Sequence, residues 1–111
     1  MDSLRTLKSF PAAVRQKLGF ALYQAQIGER HEKARPLHGF ELPVWEVRAD
    51  DPSGTYRAVY VVQFRNAVYV LHAFQKKARS GIATPRREIE LIRQRLRAAR
   101  ALDRQEGVRE G

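Results

Sequence analysis

Glu46 and Arg48 stand two apart in the alternating run Val44-Trp45-Glu46-Val47-Arg48, so on a strand they share a face. A carboxylate beside a guanidinium offers a proton acceptor next to a phosphate binder. A cross-strand ion pair on an exposed face would use the same two residue types. Arg57 lies in a run rich in β-branched and aromatic residues, Thr55 to Gln63, with apolar neighbours. A charged side chain on a mostly covered strand needs an anionic partner. One such partner is a phosphate, whose developing charge a guanidinium neutralises in a transition state. The plain alternative is a surface arginine at a strand end. His72, Phe74 and Lys76 alternate along a third run. His72 titrates near neutrality and is a candidate general acid, or else a satisfied core histidine. Lys76, Lys77 and Arg79 follow as phosphate binders or as a solvated charge run. Trp45, Tyr56, Tyr60, Tyr69 and Phe74 offer rings for stacking bases, or for filling a core.

Other chemistries find no residues to carry them. There is no cysteine, which excludes disulfide scaffolds, thiol nucleophiles and thiolate metal sites. The three histidines, His31, His38 and His72, show no HxxxH or HxH spacing, so no zinc site is expected. No Walker loop, GxSxG motif or carboxylate metal cluster is present, and neither a metal nor a cofactor is expected.

Charge supplies the second signal. The chain of 111 residues carries 21 Lys+Arg against 12 Asp+Glu, a net charge of +9. Residues 1–43 are net +3, residues 44–75 are neutral, and residues 76–111 are net +6. Such an excess draws polyanions, of which nucleic acid is the commonest, although it also serves as a solubilising surface. No run of about 18 apolar residues exists to span a bilayer, and no partner membrane is expected. Met1-Asp2-Ser3 has no basic or apolar leader pattern, so the expected location is the cytoplasm.

The elements that must position these residues follow from periodicity. Ser3 caps a short helix over 4–9, and Pro11 opens a longer one with the stripe Val14, Leu18, Leu22, Ala25, stopped at Gly28. Residues 28–43, with Pro36 and Pro43, read as a connecting loop. Three strands follow, at 44–48, 55–63 and 67–74, joined by the turn formers Asp50 to Gly54 and by Arg65-Asn66. Short connections imply an antiparallel meander. The second and third strands are near-continuously apolar, which calls for cover over much of both faces. Thr84-Pro85 starts a last helix running to about Leu102, with Ile89, Ile92, Leu96 and Ala99 inward. Its polar face carries Arg86, Arg87, Arg93, Arg95, Arg97 and Arg100, placed either to track RNA phosphates or simply to face solvent. The expected fold is one α+β domain over 1–102, with N-terminal helices, a small antiparallel sheet and then a C-terminal helix, the helices packing on one side of the sheet, and a frayed tail at 103–111.

The ordered series WEVR, YRAVY, HAFQKK, then Thr84-Pro85 and a basic helix, resembles the phage-derived, HigB-like branch of the RelE/ParE toxin superfamily. The likeness runs from about Ser3 to Leu102. It implies a RelE-like fold and a toxin of a type II toxin–antitoxin module. RelE-like relatives cut messenger RNA on the ribosome, whereas ParE-like relatives attack gyrase. The family's usual first strand ends near an Asp-Ser pair. Here Met1 falls almost on that pair, so the strand is expected to be missing and one sheet edge unpaired.

By that resemblance the arginine of YRxxY, Arg57, matches a phosphate-contacting arginine. Glu46 lies where relatives carry a lysine or a glutamate. The tyrosine or histidine that RelE-like enzymes often carry near the C-terminus has no counterpart after His72. The implied reaction is metal-independent attack of a 2′-hydroxyl on the adjacent phosphate, giving a 2′,3′-cyclic phosphate and a 5′-hydroxyl. Arg48, Arg57, Lys76, Lys77 and Arg79 would hold phosphate, and Glu46 or His72 would move protons. The implied partners are the ribosome with its messenger and a helix-turn-helix, HigA-like antitoxin. The alternatives are a toxin that binds a protein target such as gyrase, and a non-catalytic basic RNA-binding module.

Overall fold

A computed structural model describes residues 3–64, 67–76 and 84–110, with side chains over 3–62, 68–75 and 84–101. The order is α1 (Ser3–Lys8), α2 (Ala12–Gln26), β1 (Ala34–Leu37), β2 (Val44–Asp51), β3 (Gly54–Phe64), β4 (Ala67–Lys76) and α3 (Arg86–Glu110). The fold is α+β, as expected, with a four-stranded antiparallel meander in the order β1-β2-β3-β4.

α2 forms where the apolar spacing predicts. Pro11 sits at its N-cap, so the helix starts at Ala12, one residue after the expected start, and the Pro11 carbonyl accepts the first helical bond from Arg15. The helix ends on a paired closing motif. The Glu29 N–H reaches Gln24 O at 2.7 Å and the Gly28 N–H reaches Ala25 O at 3.2 Å, with Gly28 at φ 84°. Val14, Leu18, Ala21 and Ala25 are buried against one sheet face, meeting Val47, Ala49, Tyr56, Ala58, Tyr60 and Ala73. Ala21 takes the inward place expected of Leu22, which is partly buried at the margin.

The opposite sheet face is also covered. Ile92, Leu96 and Ala99 of α3 pack on Val44, Val59, Val61 and Leu71. Burying an isoleucine or leucine there contributes roughly 1.5–3 kcal/mol each. Helices therefore lie on both faces of the sheet, not on one side. The cause is the apolar character of β3, which presents Tyr56, Ala58 and Tyr60 to one layer and Val59 and Val61 to the other.

Three further features differ from expectation. The segment read as a loop contains β1, a four-residue edge strand that tolerates Pro36 because an edge can lack a donor. Ser3 is not a cap: its hydroxyl donates to Leu71 O on edge strand β4 at 2.9 Å. α3 starts after Pro85, whose carbonyl accepts from Glu88 and Ile89. It stays helical to Glu110 where a frayed tail was expected, because residues 101–106 are mostly good helix formers and contain no proline. The β2–β3 hairpin turns at Pro52-Ser53, where the Asp51 carboxylate accepts from the Ser53 N–H and hydroxyl. Those bonds hold the Asp51 carboxyl below its ordinary value. The Arg65-Asn66 turn lies outside the described residues.

Candidate functional site

The sheet face under α3 is only half covered. α3 closes over Val44, Val59 and Val61, and the rest opens as a cleft of about 310 Å³ lined by Lys33, Arg35, Glu46, Arg48 and Arg57. Strand register explains the grouping. Arg35 of β1 pairs with Glu46 of β2, and Glu46 pairs with Val59 of β3, which pairs with His72 of β4. One step along, Arg48 pairs with Arg57, which pairs with Phe74. Two cross-strand rows thus place Arg35, Glu46, Arg48 and Arg57 side by side.

Glu46 is held from two directions. Arg57 Nη1 donates to Oε1 at 2.8 Å, and Thr84 Oγ1, just ahead of α3, donates to Oε2 at 2.7 Å. Arg57 is 3% exposed, so its charge is compensated inside the protein rather than by water. Arg48 is half exposed and lies 4.0 Å from Asp50. Arg48 directly opposite Arg57 is a like-charge pair, which a sheet disfavours unless an anion lies between or beside the two. Glu46 supplies one anion. Four cations and one carboxylate line the cleft, so it retains room and charge for a second.

His72 lies on the same face but turns under α3 and is 6% exposed. Arg95 Nη1 lies 2.7 Å from Nδ1, and Glu88 Oε2 lies 3.1 Å from Nε2. A guanidinium only donates, so Nδ1 accepts and the ring proton sits on Nε2, facing Glu88. Burial pushes the imidazole below its ordinary value. The Glu88 hydrogen bond and charge oppose that drop, and Arg95 adds to it. Phe74 stacks on the ring at 5.1 Å.

The family enters here. The chain matches the family described as Phage derived protein Gp49-like (DUF891) over residues 5–97. It belongs to that family. The Gp49-like family is RelE-like and associated with toxin–antitoxin modules. No curated protein and no solved structure matches the chain. The Gp49-like span contains every residue of the cleft and the His72–Glu88–Arg95 cluster.

Of the residues named from sequence, Glu46, Arg48 and Arg57 come together in the cleft, and His72 lies beyond it beneath the helix. Lys76 ends β4 opposite Thr55, but its side chain, together with Lys77 and Arg79, lies outside the described residues. Tyr56 and Tyr60 are buried on the other face, and burial pushes the Tyr60 hydroxyl up. Trp45 is covered on that face by Arg30, 3.9 Å from its ring centroid. Along α3, Arg95 turns inward, Arg93 donates to Gly39 O over the Phe40 ring, and Arg100 pairs with Glu41. Sequence reasoning missed Lys33 and Arg35. Their only signal was the alternation Lys33, Arg35, Leu37, which Pro36 masks.

Proposed function

We propose that the chain is the toxin of a toxin–antitoxin module, HigB-like in type, and that it cuts messenger RNA bound in the ribosome. The observation that supports this most is the Glu46–Arg57 pair at the foot of a cleft otherwise lined by cations. Lys33, Arg35 and Arg48 hold the phosphates on either side of the scissile bond. Glu46 takes the proton from the 2′-hydroxyl, that oxygen bonds to phosphorus, and the bond to the 5′-oxygen breaks. Arg57 steadies the carboxylate and faces the charge that builds on the phosphate. The leaving 5′-oxygen needs a proton. Among the cleft cations only Lys33 has one to give, because a guanidinium does not deprotonate. Both His72 ring nitrogens are engaged by α3, so the geometry favours Glu46 over His72 as the group that moves a proton. A helix-turn-helix antitoxin and the ribosome are the partners this reading requires.

The test mixes pure protein with translating ribosomes and maps cuts, comparing wild type with Glu46→Gln. Cuts with 2′,3′-cyclic phosphate ends that fall at least a hundredfold in the variant are the expected result. Binding without cutting would favour a non-catalytic RNA module, to which the doubly bonded Glu46 carboxylate also lends itself. Neither binding nor cutting, with a DNA-damage response in cells, would favour a gyrase-type protein target.

A further inference from the structure

Thr84 stands where a helix cap would stand, and its hydroxyl goes elsewhere. α3 begins at Arg86, and the carbonyl that accepts from the Glu88 and Ile89 N–H groups is that of Pro85. A threonine at a helix start ordinarily gives its side-chain oxygen to the N–H groups of the first turn. The Thr84 hydroxyl instead donates to Glu46 Oε2 on β2 at 2.7 Å. Its place is set by the helix behind it. Glu88, one turn on, lies 3.1 Å from His72 Nε2 on β4, and Arg95 donates to Leu71 O of the same strand at 3.1 Å. The two oxygens of Glu46 thus have different neighbours, because Oε1 accepts from Arg57 Nη1 at 2.8 Å. The last torsion of a glutamate is a soft two-fold rotor, so a single donor leaves the carboxylate plane free to turn. Donors on both oxygens fix it. They also differ in kind: a guanidinium only donates, whereas a hydroxyl donates or accepts. A hydroxyl therefore donates to a bare Oε2 and accepts from a protonated one, and its bond survives the arrival of a proton.

We propose that Thr84 is a positioning residue for proton transfer, its hydroxyl holding the Glu46 carboxylate in one orientation before and after Glu46 takes the proton. This rests on the nuclease reading, in which Glu46 is the base. The proton passes from the 2′-oxygen to Glu46 as that oxygen bonds to phosphorus and the bond to the 5′-oxygen breaks. Thr84 neither gains nor loses a proton in the step. Nor does it line the cleft, whose walls are Lys33, Arg35, Glu46, Arg48 and Arg57. It acts through Glu46 alone, so its loss should slow the chemistry and leave the grip on RNA intact.

The experiment compares wild type, Thr84→Val and Thr84→Ser in single-turnover cleavage, with the full chain in excess over ribosomes carrying a defined messenger. Valine keeps the branched shape and loses the hydroxyl, whereas serine keeps the hydroxyl. Thr84→Val should lower the saturating rate about tenfold, the worth of one hydrogen bond to a charged group. Its half-saturating concentration should stay within about twofold of wild type. Thr84→Ser should restore the rate to within about threefold of wild type. A messenger with 2′-O-methyl groups, which has no hydroxyl proton to lose, reports binding alone. Equal binding of it by all three proteins is the expected result, and it shows that the variants are folded with the cleft intact. Three results overturn the inference while wild type still cuts: a Val variant as fast as wild type, a Ser variant as slow as Val, or a Val variant that loses binding in step with rate. The last would make Thr84 a support for the shape of the cleft. Failure of wild type to cut overturns the nuclease reading itself, and this inference with it, before any variant is compared.

Discussion

Arg57 and Glu46 test whether a buried ion pair is structural, chemical or both. Removing one partner of such a pair leaves an uncompensated charge, so Arg57→Ala should lower folding stability by about 3–5 kcal/mol in urea titration. Glu46→Gln keeps one acceptor oxygen for Arg57 and puts an amide NH2 where Thr84 now donates, while losing basicity and the charge that compensates buried Arg57. It should therefore lower stability as well as abolish cleavage, and the loss of cleavage should persist under conditions where the variant is shown to be folded. Lys33→Arg keeps the charge and removes the transferable proton, so phosphate binding should persist while the cleavage rate falls at least tenfold in single-turnover assays. His72 makes a pH prediction. Its folded value is depressed by burial, so the unfolded chain takes up a proton first as pH falls through about 6.5. Stability should therefore decline from pH 7 downwards and level off below the folded value, and His72→Gln should lack that part of the decline in melting temperature. Glu46, Arg48 and Arg57 were legible in the sequence because each stood at a readable position on a strand. The environment of His72 was not, because Glu88 and Arg95 reach it from a helix whose azimuth only packing fixes.

At the scale of elements, local chemistry decided more than pattern alone suggested. Gly28 closes α2 at φ 84°, and a Cβ there would meet nothing within 4 Å. Gly28→Ala should therefore cost only the backbone strain, about 1 kcal/mol in chemical denaturation. α2, β2, β3 and β4 were legible because their periods, 3.6 and 2, run long enough to read. β1 was not, because four residues that include Pro36 carry no usable period, and pairing with β2 is what makes them a strand. Lys33 and Arg35 went unseen with it. The two-sided cover of the sheet was readable in the apolar run of β3, but which helix covers which face depends on long-range packing. Thr84 was readable as a helix-start residue, yet its hydroxyl goes to Glu46.

At the scale of the molecule, the net charge of +9 divides into cations already engaged and cations open to a ligand. Arg95 and Arg100 are engaged within the fold, and Arg93 is tied to Gly39 O. Lys33, Arg35 and Arg48 line the cleft, whereas Arg86, Arg87 and Arg97 are exposed on α3. Binding of single-stranded RNA loses about 0.7 in the slope of log affinity against log salt for each phosphate contact. An oligonucleotide just long enough to fill the cleft should therefore show a slope near −2 from its three open cations. Arg48→Ala should reduce the slope by about 0.7, and Arg97→Ala should leave it unchanged. Long structured RNA should show a steeper slope, part of which Arg97→Ala removes. If Arg48→Ala leaves the short-oligonucleotide slope intact, the phosphates are held elsewhere. The exposed helix arginines would then be the place to look, and the like-charge Arg48–Arg57 row would be a feature of folding alone.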